Sequence, residues 1–289
     1  MENLLVSFSG GETSAYMAQW LWNNKRGEYN MVFVFANTGQ EEYETIQFCK
    51  KCEEHFGFKI HYIEAVVYDK MGKGNDFKEV ESYNLDMEGA PFEAVIKKHG
   101  IPNKNFPHCT REMKAVPIRK FGKKYFNGQP YYLAIGIRHD EIDRVNPKHR
   151  KERIIYPLIS ERPMTKQKIN FWWSQQPFRL ELKGYQGNCK TCWKKSDRKL
   201  YQIAKENPSA FLFFDKMEAR YGHFTPETRI QRMAQRGEVP KYPITFFRNN
   251  RSAYDITIEA KSFNGKVQDD HQQFDETESC ELFSGCGDF

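Results

Sequence analysis

Through its first 160 or so residues the chain alternates short, almost unbroken apolar runs with longer stretches of spaced apolar residues. Leu4-Leu5-Val6-Ser7-Phe8 leads straight into Ser9-Gly10-Gly11, and behind it Ala15, Ala18, Leu21 and Trp22 share one helical face. Met31-Val32-Phe33-Val34-Phe35 is too short for a helix and too continuous for a half-exposed strand, so it predicts a central strand of a parallel sheet. A polar stretch from Glu41 to Phe56, closed by Gly57, predicts a helix before a third run at Lys59–Ile63. Further strands are expected over Tyr131–Ile135 and Arg153–Ile159. This alternation predicts an open α/β sheet with right-handed crossovers.

The pattern weakens between Met71 and Pro107, where Gly72, Gly74, Gly89 and Pro91 interrupt it, and after Ile159 it turns helical. The division expected is an α/β domain over residues 1–164, with 71–107 as an insertion or lid, and a helical region over 165–264. An acidic, cysteine-containing tail follows over 265–289.

Composition narrows the classes. With 289 residues, 39% hydrophobic and 28% charged, the chain can bury a core. It has no run near the roughly 20 apolar residues that a membrane helix needs. Its first residues lack a signal peptide's basic flank and cleavage site, so a cytoplasmic protein without membrane contact is expected. The net charge of +6 favours anionic partners. Seven cysteines, an odd count with two CxxC pairs, point to metal or redox chemistry more than to a disulfide framework.

The most informative segment is Ser7-Phe8-Ser9-Gly10-Gly11-Glu12-Thr13-Ser14. Glycines let the backbone approach a ligand, a helix N-terminus supplies N–H groups, and the hydroxyls of Ser9, Thr13 and Ser14 add donors round the same anion. An ordinary strand–helix turn capped by Ser9 has similar chemistry, but a turn after the first strand lies where such sheets bind ligands. The GxxxxGK[ST] pattern of a Walker A loop is absent.

S-G-G-x-[DT]-S after a first strand resembles the PP-loop of the ATP-pyrophosphatase and adenine-nucleotide alpha-hydrolase superfamily. Ala36-Asn37-Thr38-Gly39-Gln40-Glu41 with Glu44-Thr45 is similar to the D-T-G-x-x-x-x-E-T of its phosphoadenosine-phosphosulfate (PAPS) reductase-like branch, with Asn37 replacing Asp. Gly136-Ile137-Arg138-His139-Asp140-Glu141, with Arg144, is similar to that branch's G-x-R-x-[DE]-[ES]…R. In style the chain resembles the phage- and prophage-borne members. The resemblance implies a HUP-type Rossmann-like parallel sheet, helices on both faces, that binds ATP or PAPS with Mg²⁺. It implies phosphate binding by Ser7, Ser9, Gly10, Gly11, Glu12, Thr13 and Ser14, with Asn37, Thr38 and Gly39 near the nucleoside. Arg111, Lys114, Arg138 and Arg144 would hold substrate anions, as planar guanidinium groups do well, and Asp140 and Glu141 are catalytic candidates. A solvated charged loop is the plain alternative for residues 138–141.

Cys189-Lys190-Thr191-Cys192 offers two thiolates and needs further ligands, for which Cys109 is the natural candidate. Cluster-bearing reductases have C-C-x-x-R-K-x-x-P and then a distant C-x-x-C. Here Cys109, Lys114 and Pro117 keep their places, while Thr110 and Met113 replace the second Cys and the Arg. Three ligands of a [4Fe–4S] cluster remain, leaving one iron open. Zinc is the second choice, its set completed by Cys280, Cys286 or His108. The plain alternatives are Cys109 as a small buried hydrophobe with the CxxC a structural zinc half-site, or no metal at all. Cys49 and Cys52 share a helical face and read best as core thiols. Cys286, in Ser284-Gly285-Cys286-Gly287-Asp288-Phe289, matches a reductase tail nucleophile at two residues. Basic runs at Lys148–Lys151 and Lys194–Lys199, with Trp172, Trp173 and Trp193, suit either solvated faces and core aromatics or nucleic acid.

Three functions are expected in order. The first is ATP cleavage at the α-phosphate to AMP and pyrophosphate, activating a nucleic-acid or small-molecule acceptor for sulfur transfer. The second is reduction of PAPS to sulfite and adenosine 3′,5′-bisphosphate with a thioredoxin-like reductant. The third is a non-catalytic nucleotide-binding subunit.

Overall fold

Side chains along the first two strands divide between two apolar layers, as the alternation of a strand demands. Leu4, Val6, Phe33 and Phe35 enter one layer, while Leu5, Val32, Val34 and Ala36 enter the other. A strand buried on both faces must lie inside a sheet that is covered on both sides. The computed structural model describes residues 1–70, 72–187, 189–265 and 267, and it has that arrangement.

Strands β1 (Glu2–Ser7), β2 (Tyr29–Asn37), β3 (Ile60–Val66), β4 (Asp76–Val80), β5 (Tyr131–Ala134) and β6 (Ile154–Ile155) form one sheet in the order β4-β3-β2-β1-β5-β6. Neighbours are parallel except β3 and β4, which are antiparallel. Helices α1 (Glu12–Lys25) and α2 (Tyr43–Phe56) follow β1 and β2. Next come α3 (Ala90–His99) and α4 (Val116–Tyr125), the latter entered through a π-helical turn at Arg111–Ala115. Beyond β6 lie α5 (Pro157–Ser160), α6 (Lys166–Ser174), α7 (Asp197–Glu206), α8 (Leu212–Tyr221), α9 (Glu227–Ala234) and α10 (Ala253–Ser262).

The chain is an α/β protein with a Rossmann-like, predominantly parallel sheet and a helical C-terminal region, as its pattern predicts. One layer packs α1, α2 and Trp173 of α6 on the sheet, and the other packs Ile118 and Phe121 of α4. A third apolar cluster lies beyond the sheet, where Phe92, Val95 and Ile96 of α3 meet α7, α8 and α10.

Two expectations change. The segment over 71–107 carries the edge strand β4 and the core helix α3, whose Val95 and Ile96 are fully buried. Of the glycines that break the pattern, Gly72 and Gly74 precede β4, and Gly89 is the N-cap of α3 at φ +93°. The run over Arg153–Ile159 gives a two-residue strand, because Pro157, which has no N–H to donate, opens α5. The expected acidic tail, with Cys280 and Cys286, lies outside the described residues.

Candidate functional site

Strand order sets the position of the site. From β1 the chain moves to β2 and β3 on one side, then returns to place β5 on the other side of β1. Loops leaving the carboxyl ends of β1 and β5 therefore diverge and open a crevice, the usual ligand position in such sheets. The Ser9–Ser14 loop follows β1 and the Arg138 loop follows β5.

The loop after β1 is held tightly. Ser14 Oγ donates to the Gly11 carbonyl (2.9 Å) and accepts from Ser9 N (3.1 Å), while Ser9 Oγ lies 3.0 Å from it. Gly10 has φ +81°, and a Cβ there would meet Thr45 Cγ2 at 2.4 Å. Only glycine suits both that backbone and that contact with α2. Gly11 caps α1 without a side-chain hydrogen bond, so no side chain occupies the first-turn donors as a cap. Such a turn can receive an anion. Ser7 is buried in β1 behind the loop.

Glu12 has a second set of partners. Arg179 grips its carboxylate through Nε (2.9 Å) and Nη2 (3.0 Å), and Trp173 Nε1 donates to its carbonyl (2.9 Å). Arg179 carries no sequence signal that could have found it.

Across the crevice, Arg138 Nη1 donates to Thr13 Oγ1 (3.3 Å), which brings the two loops together. Its guanidinium is held by Asp140 (3.1 Å) and Glu141 (3.3 Å), and Glu141 also binds Arg144 (2.5 Å). These residues form the 3-10 turn His139–Arg144. Asp140 and Glu141 thus orient guanidinium groups, and Arg138 stands beside the Ser9–Ser14 loop with its planar face fixed.

The loop after β2 links this crevice to the cysteines. Asn37 is fully buried and donates to Glu64 (2.8 Å) and to the Asp86 carbonyl (2.7 Å). Gly39 has φ +78° and packs on Gly89, where a Cβ added to Gly39 would lie 2.7 Å from Gly89 Cα. Thr38 Oγ1 donates to Glu41 (3.0 Å) and lies 3.4 Å from Cys189 Sγ. Glu41 bridges Cys189 through the backbone, and Lys190 N donates to the Gln40 carbonyl (2.8 Å). Lys114 Nζ reaches Glu41 at 3.4 Å, a buried ion pair beside the thiols. Sequence reasoning missed Glu41, although it lies inside the Asn37–Glu41 motif, and Glu64, a carboxylate in an otherwise apolar strand.

Cys109, Cys189 and Cys192 line one cavity with Thr38, Thr110 and Lys114, and Phe92, Met113, Trp193 and Phe214 make most of its wall apolar. All three cysteines are buried. Lys195 lies behind them, its Nζ on the Gly187 carbonyl at 2.5 Å. Burial pushes its pKa down, and the neighbouring Cys192 and Cys189 act against that shift. Among the described residues, no three Cys, His, Asp or Glu side chains close round a single metal ion. The donor set is nonetheless one that suits soft metals and iron–sulfur clusters: three thiols facing a common apolar space.

Of the other predicted residues, Arg111 is largely exposed and paired with Glu112. His108 is turned towards His99, their ring centroids 5.6 Å apart, and burial lowers its pKa to about 3. Cys49 and Cys52 are fully buried on α2. Cys280 and Cys286 fall outside the described residues. No helix among the described residues is long and apolar enough to cross a membrane.

The fold and crevice define a nucleotide-type α/β protein with a glycine-rich loop after its first strand. Residues 3–156 match the phosphoadenosine phosphosulfate reductase domain, and the chain belongs to that family. An uncharacterized nin region protein of Escherichia phage lambda is 29% identical over 296 residues, covering 99% of this chain and 97% of its own. Among solved structures, a U34-tRNA thiolase, NcsA, from Methanococcus maripaludis with its [4Fe–4S] cluster overlaps 79% of this chain and 75% of its own. That overlap has 18% identity and a TM-score of 0.38. A predicted subunit of tRNA methyltransferase from Methanocaldococcus jannaschii overlaps 72% of this chain and 89% of its own, with 17% identity and a TM-score of 0.35.

Proposed function

We propose that the protein is an enzyme that binds ATP at the Ser9–Ser14 loop and uses it to activate an acceptor for sulfur transfer. The observation that carries this reading is the stitching of Cys189 and Lys190 to Thr38, Gln40 and Glu41, which sets the thiol cavity against the loop that follows β2, the neighbour of β1. An acceptor oxygen attacks the α-phosphorus, the bond to the β-phosphate oxygen breaks, and pyrophosphate leaves with its charge met by Arg138; Mg²⁺ bound to the nucleotide would share that charge. A sulfide-level nucleophile then forms the carbon–sulfur bond, and AMP departs with the acceptor oxygen.

Cys109, Cys189 and Cys192 are the residues that would hold a [4Fe–4S] cluster, in preference to zinc. Bound there with three thiolates, such a cluster supplies an open iron that can carry sulfur. Lys114 and Lys195 place positive charge beside the anionic thiolates, and the apolar wall keeps water from them. Arg138 and Arg144 orient the phosphates through the Asp140–Glu141 scaffold.

The second reading is PAPS reduction to sulfite and adenosine 3′,5′-bisphosphate with a thioredoxin-like reductant. The buried Lys114 beside Cys109 favours it, because that cation can face a sulfonate. Calorimetry of anaerobically purified protein with ATP–Mg²⁺ and with PAPS separates the two. Tighter ATP supports adenylation, tighter PAPS supports the reductase, and binding of neither removes both.

A further inference from the structure

We infer that the surface formed by α9, the end of α3, Lys104 and Arg111 docks a nucleic-acid backbone next to the cysteine cavity. The inference deepens the sulfur-transfer reading by naming the acceptor's class, and rests on that reading for its purpose.

Helix α9 has no fully buried residue: Arg229 and Met233 are half-buried and the rest are exposed. Arg229 and Arg232 lie one turn apart on it, and Arg236 continues the same stripe just past its end. Arg229 seats the helix, its guanidinium 3.0 Å over the Phe106 ring. Its Nε and Nη1 have no hydrogen-bond partner among the described residues, and burial lowers its pKa to about 10. Phe106 lies three residues before Cys109, so α9 stands over the chain as it enters the cavity wall. Gly100, just past the end of α3, lies against the start of α9, where a Cβ on it would sit 3.3 Å from Pro226 Cδ and 3.4 Å from Arg229 Nη1. On the adjoining side His99 Nε2 lies 3.7 Å from the carboxylate of Glu112, the partner of Arg111. Lys97 and Arg111 are each 64% exposed, and Lys104 is exposed between them in sequence.

Among the described residues four acids lie here, of which Glu227, exposed in the first turn of α9, accepts only from Gln231 (3.4 Å). Asp69 lies 3.7 Å from Lys97 and Glu238 lies 3.5 Å from Arg236, exposed pairs that a phosphate can replace at little cost. Glu112 is buried and paired with Arg111, and burial raises its pKa. A row of separated cations matches a repeating phosphate backbone, and the part-exposed Phe224 and Ile230 offer apolar surface to bases.

The test is fluorescence polarisation of the full chain with labelled single-stranded RNA, hairpin RNA and DNA of matching sequence, across a salt series. Binding should weaken steeply with salt. Lys104→Glu/Arg232→Glu/Arg236→Glu should weaken it at least about tenfold and flatten the salt slope. Lys148→Glu/Arg150→Glu/Lys151→Glu, a charge reversal on another exposed basic run, should change it less than about twofold. Calorimetric ATP binding should be equal in both variants, which shows that each is folded. Absence of binding to every probe, equal loss in both variants, or equal affinity for a polyglutamate peptide would overturn the inference. Loss of ATP binding in the parent chain with RNA binding intact would instead remove the adenylation reading and leave this surface standing.

Discussion

The chain contains the same four-residue cysteine motif twice, and the two copies have opposite surroundings. Cys49 and Cys52 lie on the buried face of α2, inside the main core, and burial drives both thiols far above the ordinary range. Cys189 and Cys192 lie on a turn, on the wall of a cavity shared with Cys109. The first pair packs as small hydrophobes and supports the floor of the phosphate loop, since a Cβ on Gly10 would lie 3.6 Å from Cys49 Sγ. The second pair lines a small cavity with a third thiol, Cys109. Spacing alone does not decide what a CxxC faces; the packing round it does.

That contrast can be broken most severely from the loop itself. Gly10→Ala forces a side chain into the left-handed region and against Thr45, so ATP affinity should fall at least about 100-fold in calorimetry. Retained affinity would show that the loop does not hold the phosphates. Next in size is Cys189→Ser or Cys192→Ser. Anaerobically reconstituted protein should lose most of its iron and acid-labile sulfide while melting within a few degrees of the parent. An unchanged iron content would remove the cluster assignment. Cys49→Ser should do the reverse: it buries a hydroxyl in an apolar core and costs roughly 1–3 kcal/mol in urea unfolding, with iron content intact.

The smallest effect sharpens the comparison through pH. Glu218 accepts from Phe246 N (2.9 Å) and Ala253 N (2.7 Å) inside the helical cluster that also contains Cys109, and burial raises its pKa to about 7. An acid raised in the folded state contributes stability that is full below its unfolded value near 4.5. That contribution is lost as pH climbs towards 7. Glu218→Gln should therefore flatten the stability profile between those limits, measured by urea melts. Iodoacetamide labelling of the parent chain should reach Cys189 and Cys192 ahead of Cys49 and Cys52, more markedly towards alkaline pH.

Much of the fold was legible because apolar continuity reports burial on both faces, as in Leu4–Val6 and Val32–Phe35. The edge was not legible. Strand β4, with its sequence Asp76-Phe77-Lys78-Glu79-Val80, is half solvated, and only its pairing with β3 makes it a strand. Helix α3 hid behind the glycines that bound it. In the site, the motifs located the loop, the arginines and the cysteines, since each depends on local chemistry. Arg179 on Glu12 and Glu64 under Asn37 were invisible, because each acts on a partner distant in sequence, while Lys195 was visible only as part of a basic run and not as a neighbour of the thiols.

The backbone tie between Gln40 and Lys190 also sets an order of assembly. Its two ends are about 150 residues apart, so closing it is one of the costlier loop entropies in the chain and comes after local elements have formed. During synthesis the β2 side exists long before the cysteine turn emerges, and the thiol wall is complete only when that late turn docks on a finished sheet. Any ligand that needs all three thiols therefore meets a complete wall only after that late turn has docked.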